Sequence, residues 1–146
     1  MSRRVMLVIG SLSLVGILVL GYARMRSAPT DHELKMATMS MMPAEVQSAA
    51  AVTQQAYQFA VANPDVLQHL PCYCGCGGMG HTSNYSCFVK NVDAKGLVNF
   101  DSHALGCSIC VDIAQDAMRL SKRGQRPQEI AAYVQKTYSR FGPSNL

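Results

Sequence analysis

The six cysteines of this chain all lie between residues 72 and 110, and this crowding is what most constrains its fold. Three of them alternate within five residues, at Cys72, Cys74 and Cys76. Soft donors at this density suit a soft metal ion, and an even number of thiols equally suits a set of disulfides. Whether these thiols bind an ion or form disulfides decides most of what can be inferred about function.

The segment around the first three cysteines is too rich in glycine for a helix or a strand. Four glycines occur within residues 75–80, and glycine allows turns where side chains would clash. Alternate side chains of an extended chain lie about 6.5–7 Å apart, whereas the ligands of one ion lie roughly 3.5–4 Å apart. A bent glycine loop closes that gap. A disulfide within Cys-x-Cys would be strained, and three thiols cannot all pair locally, so at least one must reach Cys87, Cys107 or Cys110.

The remaining sequence predicts helices. Apolar residues recur every three or four positions in 44–61, 106–122 and 127–140, and this period is typical of a helix with one buried face. Two short apolar runs, 87–89 and 97–100, are strand-like. The predicted fold class is therefore mainly α, a small cysteine-rich helical domain with a Gly/Cys loop.

The second predicted helix begins with a Cys-x-x-Cys motif. Cys107 and Cys110 fall in its first turn on the apolar face, so we expect both sulfurs to point inward. The helix dipole and the free amides at a helix start stabilise thiolate, which is both the metal-binding and the nucleophilic form. The motif therefore fits a metal site or a redox dithiol. A redox dithiol usually follows a strand in a βαβ pattern, which the sequence lacks, so the metal site is favoured.

The predicted metal ligands combine the six thiols with two residues of the glycine loop, and they are Cys72, Cys74, Cys76, Cys87, Cys107, Cys110, His81 and Met79. His69 and His103 also lie near cysteines in the sequence, but a lone histidine is more often structural, and neither is included. Sulfur-rich sites select Cu(I) or Zn(II). The methionines at 36, 39, 41 and 42 shift the prediction towards Cu(I), with zinc as the alternative, because thioethers favour Cu(I).

The amino terminus predicts a membrane anchor. Val5 to Tyr22 carries no charge over 18 residues, which is near the shortest helix that spans a bilayer. Arg24 and Arg26 occupy the place of a cleavage site, so a retained signal anchor is favoured over a cleaved signal. Arginines before and after the apolar run weaken any assignment of orientation, and the pair at 3 and 4 favours an amino terminus inside and cysteines outside the cytoplasm.

The predicted organisation is an anchor at 1–26, a Met-rich linker at 27–43 and a cysteine-rich domain at 44–146. The net charge is +4, and the basic residues are scattered without interleaved aromatics. This pattern gives no reason to expect nucleic-acid binding. No signature of paired catalytic carboxylates, a Ser-His-Asp set or a phosphate loop is present, so the chain is predicted not to be an enzyme.

One motif in the thiol segment resembles a known family. Residues 71–76 read PCYCGC, the motif of the PCYCGC-motif family of bacterial membrane-associated proteins and lipoproteins. The segments 80–88 and 106–114, which carry the later cysteines, are similar to that family as well. The resemblance implies a bacterial envelope protein and no settled activity. Unlike lipoprotein members, this chain has no cysteine after its apolar run.

These observations predict a single-pass protein of the bacterial cell membrane that binds a soft metal ion outside the cytoplasm and stores, delivers or detoxifies copper. Its expected partners are the membrane and a copper-acquiring protein or membrane complex. One alternative is a disulfide-stabilised accessory protein of a membrane complex. Another is a thiol–disulfide oxidoreductase in which Cys107 attacks and Cys110 resolves the mixed disulfide.

Overall fold

The computed structural model describes residues 32–146. The predicted anchor at 1–26 lies outside the described residues. Within the described part of the chain, no helix has the length and apolar character needed to cross a membrane.

The described residues form a mainly α domain, as predicted, with five α-helices and one small hairpin. The helices are α1 (Ala44–Gln47), α2 (Ala51–Ala62), α3 (Pro64–Leu67), α4 (Ser108–Lys122) and α5 (Pro127–Tyr138). Strands β1 (Val89–Val92) and β2 (Val98–Phe100) pair antiparallel, with an irregularity between Val89 and Asn91. Short 3-10 helices lie at Met39–Met41, Cys76–Met79, Tyr85–Cys87, His103–Leu105 and Ser139–Phe141.

The core lies between the longer helices and the hairpin. Helix α4 packs against both α2 and α5. The fully buried Tyr57 of α2 meets Phe88 edge to face at 5.0 Å between ring centroids, and its hydroxyl donates a 2.6 Å hydrogen bond to the Asp101 carbonyl. This contact ties the helices to the hairpin and fixes the segment that follows β2.

The first predicted helix is interrupted, because the structure ends α1 at Gln47 and starts α2 at Ala51. The side-chain amide of Gln54 donates to the carbonyls of Gln47 and Ala49 at 2.7 and 2.9 Å. These bonds satisfy backbone acceptors that the interruption would otherwise leave without partners. Alanine-rich sequence favours a continuous helix, but this side-chain contact supports the break.

The segment 32–43, predicted as a linker, packs on the domain. The amide of Ala37 donates to the Gln58 carbonyl at 3.0 Å, and the Gln58 side chain donates back to the Ala37 carbonyl at 2.8 Å. Met42 is only 3% exposed and belongs to the core. Met39 is partly buried against the core, whereas Met36 and Met41 are exposed. The four methionines therefore do not share one environment.

Candidate metal centre

The glycine loop gives the first three thiols their geometry. Gly75 and Gly80 flank the 3-10 helix Cys76–Met79 with φ of 83° and 87°. This left-handed conformation is costly for residues with a side chain and ordinary for glycine. The chain therefore reverses between Cys74 and Cys76 and again after Met79, and it forms the compact turn that the sequence predicted.

The carboxyl-terminal tail holds the loop in place. The Cys72 amide donates to Asn145 Oδ1 at 2.6 Å, and the Asn145 amide donates to the Cys72 carbonyl at 3.2 Å. The Asn145 side-chain amide also lies 3.4 Å from Cys76 Sγ. A side chain at Gly142 would come within 2.8 Å of the Tyr73 carbonyl oxygen. The tail thus fits against the loop too closely for a larger residue at position 142.

The start of α4 brings the other thiols to the loop. Cys110 Sγ lies 3.4 Å from Cys72 Sγ, 3.5 Å from Cys74 Sγ and 3.3 Å from Cys107 Sγ. Cys107 is the residue that caps the helix rather than a member of its first turn, and it is half-buried. The Cys107 sulfur nevertheless faces the cluster, because it contacts the sulfur of Cys110, which is fully buried.

A second contact joins Cys76 to Cys87, whose sulfurs lie 3.7 Å apart. Both residues are buried. All six cysteines belong to the described part of the chain, and all are free thiols there. Their spacings exceed the ~2.05 Å of a disulfide and match the roughly 3.5–4 Å between ligands of one tetrahedral ion.

Two histidines complete the cluster. His103 Nε2 lies 3.4 Å from Cys74 Sγ, and the rings of His81 and His103 meet edge to face at 5.1 Å. His81 Nε2 lies 3.5 Å from Asp101 Oδ2, and both side chains are largely buried. His81 Nδ1 is buried and has no hydrogen-bond partner among residues 32–146. Nδ1 is therefore the nitrogen of His81 that remains available to an ion.

Asp101 contacts both histidines, the ring of His81 and the backbone amide of His103. Its Oδ1 accepts a 2.8 Å hydrogen bond from the His103 amide, while Oδ2 faces His81. A carboxylate behind a histidine fixes the ring and its tautomer and makes it a better ligand, as is common around protein-bound metals. Asp101 is therefore placed to orient the ring of His81 and to hold the backbone at His103.

The donors form four overlapping groups in which all ligand atoms lie within 4.8 Å of one another. The groups are Cys74, His103, Cys107 and Cys110; Cys76, His81, Cys87 and His103; Cys72, Cys74 and Cys76; and Cys72, Cys87 and Cys110. Every cysteine belongs to at least one group. The six thiols and two imidazoles thus form one continuous cluster that could hold a metal ion.

The thiols of the cluster differ in pKa because they share protons and are buried to different degrees. Hydrogen bonds from Cys110 and then Cys87 lower the pKa of the Cys72 thiol, and the bond with Cys72 raises the pKa of Cys110. Burial is the largest cause of the raised pKa values of Cys74 and Cys76. Without a cation, the cluster therefore favours thiolate at Cys72 and keeps most of its neighbours protonated. An ion that binds several of these thiolates must displace their protons.

The structure brings together seven of the eight predicted ligands, which are the six cysteines and His81. Met79, the eighth, ends the 3-10 helix after Cys76 with 59% of its surface exposed. His69 is exposed, and its Nδ1 faces the Asp65 carbonyl at 2.9 Å. His103 belongs to two of the four groups although the sequence prediction left it out. The sequence signal of that role was the closeness of His103 to Cys107.

A profile of one protein family matches residues 23–143, most of the chain, and its description reads "Protein of unknown function with PCYCGC motif". No curated protein and no solved structure matches the chain. The match includes the complete set of thiols and both histidines of the cluster. The chain therefore belongs to the PCYCGC motif family.

Proposed function

We propose that this protein binds Cu(I) through its thiol cluster and that it stores the ion or passes it to another protein. The observation that carries the proposal is the convergence of six free thiols and two imidazoles, all in groups with ligand atoms within 4.8 Å. Thiolates are the donors that Cu(I) prefers. The buried, unpartnered Nδ1 of His81 adds a donor whose burial would otherwise be unfavourable.

The arrangement around Cys110 favours an ion over disulfides. Its sulfur lies 3.3–3.5 Å from three other sulfurs, those of Cys72, Cys74 and Cys107. A disulfide would use one of these neighbours and leave the other two close to a sulfur they cannot bond. An ion can be shared among all of them. The disulfide-stabilised accessory protein remains the structural alternative, and it requires that the thiols be oxidised in the protein from cells.

Zn(II) is the second candidate ion, and the contact between His81 and Asp101 favours it. Zinc sites combine cysteine and histidine in tetrahedral sets of four, and a carboxylate commonly supports the histidine. Two of the groups consist of four Cys and His donors. The methionines add less support for copper than the sequence suggested, because Met42 is part of the core.

Metal analysis of the protein purified from cells without chelators tests the proposal. We expect at least one equivalent of bound metal and six thiols that react only after the metal is removed. Less than one-tenth of an equivalent of both copper and zinc, with reduced thiols, would contradict it. Three disulfides in the intact mass would instead support the accessory-protein alternative. Competition between the two ions for the metal-free protein under anaerobic conditions decides between copper and zinc.

The proposed location is the outer face of a bacterial cell membrane, with residues 1–26 as the anchor. Its support is the uncharged 18-residue run from Val5 to Tyr22. The partner would be a copper-acquiring protein or membrane complex that receives the ion by exchange of soft ligands. Labelling of metal-depleted intact cells with a membrane-impermeant maleimide tests the location. Label that reaches the thiols only after lysis would contradict it.

A thiol–disulfide exchange activity is supported by one observation. Cys107 is half-buried at the start of α4, and its sulfur lies 3.3 Å from that of the buried Cys110. An attacking thiolate needs this access, and a resolving thiol needs this proximity. Insulin reduction by the metal-free protein tests the activity. If Cys107→Ser and the original chain reduce insulin at the same rate, the protein is not an oxidoreductase of this kind.

A further inference from the structure

The eight donors of the cluster divide into two trios and two shared residues. Cys74, Cys107 and Cys110 form one trio, and Cys76, His81 and Cys87 form the other. His103 lies within 4.8 Å of every member of both trios. Cys72 is grouped with Cys74 and Cys110 of the first trio and with Cys76 and Cys87 of the second. Cys72 also links the trios, because its two groups join Cys74 with Cys76 and Cys87 with Cys110. The arrangement allows two centres of coordination within one cluster.

The two trios differ in their access to solvent. Cys76 and Cys87 are 1% and 0% exposed, and the side chain of His81 is 10% exposed. Cys74 and Cys107 are half-buried, and only Cys110 of that trio is fully buried. Cys107 also lines a surface cavity of about 340 Å³ together with Val52, Thr53 and Asp112. An ion on the first trio is thus reachable by an external ligand, whereas an ion on the second is enclosed.

The contacts and chemistry of His103 and Cys72 assign each of them to one trio. His103 Nε2 lies 3.4 Å from Cys74 Sγ, which belongs to the exposed trio, and one imidazole nitrogen has a single lone pair for a single ion. Cys72 is fully buried, like the enclosed trio. Its sulfur lies 3.4 Å from those of Cys74 and Cys110 and within 4.8 Å of those of Cys76 and Cys87, so it stands between the two centres.

We propose that the cluster is a two-ion centre with an enclosed inner ion and an exchangeable outer ion. Cys72, Cys76, His81 and Cys87 hold the inner ion, and Cys74, His103, Cys107 and Cys110 hold the outer one. This inference rests on the proposed function and adds to it the number of ions and the route of transfer. The outer ion leaves through Cys107, while the inner ion keeps the loop folded. Zn(II) takes four such ligands, and Cu(I) is satisfied by the three of each trio.

Release of Zn(II) from the loaded, full-length chain tests the inference. Zn(II) serves as the probe because a chromogenic chelator reports its release directly. We expect two bound equivalents, one transferred to the chelator at least tenfold faster than the other. Cys107→Ser should lose the fast phase and keep one slowly released ion. Cys87→Ser should lose the slow phase. Ser108→Ala, an exposed change between Cys107 and Cys110, is the matched control and should keep both phases.

The outcomes separate this inference from the proposed function. Absence of bound metal from the reduced protein would overturn both. One equivalent, three or more equivalents, or two equivalents released at one rate would overturn the two-ion centre and leave metal binding in place. Because Cys87 is fully buried, Cys87→Ser is checked for folding by circular dichroism. If this variant unfolds, the original chain and Cys107→Ser still decide, since loss of the slow phase in Cys107→Ser would contradict the assignment.

Discussion

The thiol loop and the pair of helices α4 and α5 illustrate two ways of holding a fold together. The loop, residues 71–87, is irregular and gathers sulfur around glycine turns. The helix pair buries apolar side chains at helical spacing, among them Ile113, Ile130 and Val134. Burial of each such side chain stabilises the fold by about 1.5–3 kcal/mol without any ligand. The loop is tied to the tail through Asn145 and buries Cys72, Cys76 and Cys87. Much of what it buries is sulfur that a metal ion would bind, so we expect its order to depend on what its thiols bind.

Removal of metal should have the largest effect, and it should separate the two regions. Structural zinc contributes on the order of 10 kcal/mol to the folding of small domains. We therefore expect chelation to remove hydrogen-exchange protection from the amides of residues 71–87 while the amides of α5 stay protected. Exchange of the loaded and chelated protein, followed by mass spectrometry, measures this. Equal loss of protection in both regions would show that the two do not differ in this way.

The converse change acts on the helix pair alone. Ile130 is fully buried in α5, and truncation of a buried isoleucine to alanine costs about 2–5 kcal/mol. Ile130→Ala should lower the free energy of unfolding by that amount and leave the number of bound ions unchanged. Denaturant unfolding and metal analysis of the same sample measure both quantities. Gln128→Ala, on the exposed side of α5, is the control and should change neither.

A substitution at Asp101 should weaken metal binding at the loop and leave the helix pair intact. Its carboxylate faces His81 and accepts a hydrogen bond from the His103 amide. Loss of a carboxylate that supports a histidine ligand typically lowers metal affinity 10–100-fold. Asp101→Asn keeps the size of the side chain and removes the charge. We expect weaker binding in a chelator competition, with helix content unchanged. Asp65→Asn, an exposed carboxylate change in α3, should bind metal as the original chain does.

The helix pair was more predictable from the sequence than the cluster. The apolar period locates α4 and α5 closely because their buried faces repeat at 3.6 residues. The same rule misses the break before α2, since it depends on the side chain of Gln54 reaching back to Gln47 and Ala49. Local rules also treat residues 32–43 as a linker, although a backbone hydrogen bond and a side-chain hydrogen bond join Ala37 to Gln58 of α2.

The thiols of the cluster were evident from their spacing, but its histidines were only partly so. His81 lies within the glycine loop, so its neighbourhood pointed to a ligand. His103 precedes Cys107 by a 3-10 turn, and its approach to Cys74 spans 29 positions of sequence. Tyr57, packed on Phe88, holds the segment after β2 through the Asp101 carbonyl and so helps to place His103. A ligand that long-range packing brings to a site is difficult to predict from a single sequence.

The smallest effect should come from one hydroxyl group in the helix pair. The Tyr138 hydroxyl donates to Asp116 Oδ2 at 2.8 Å, and burial, followed by this contact, raises the pKa of Tyr138. Tyr138→Phe should cost about 1 kcal/mol near pH 7 and leave metal binding unchanged. Tyr133→Phe, which loses a longer contact of 3.3 Å from Arg119, is the control and should cost less.

The contribution of Tyr138 to the free energy of unfolding should decrease at high pH. The folded state holds the Tyr138 proton more tightly than the unfolded chain does, because its pKa is raised in the fold. The resulting stability is fully present below the unfolded pKa of about 10 and decreases as the pH rises beyond it. The stability difference between the original chain and Tyr138→Phe should therefore narrow above about pH 10. Denaturant unfolding of both proteins across this range measures it, and a difference that widened with pH would contradict the buried, hydrogen-bonded state of this hydroxyl.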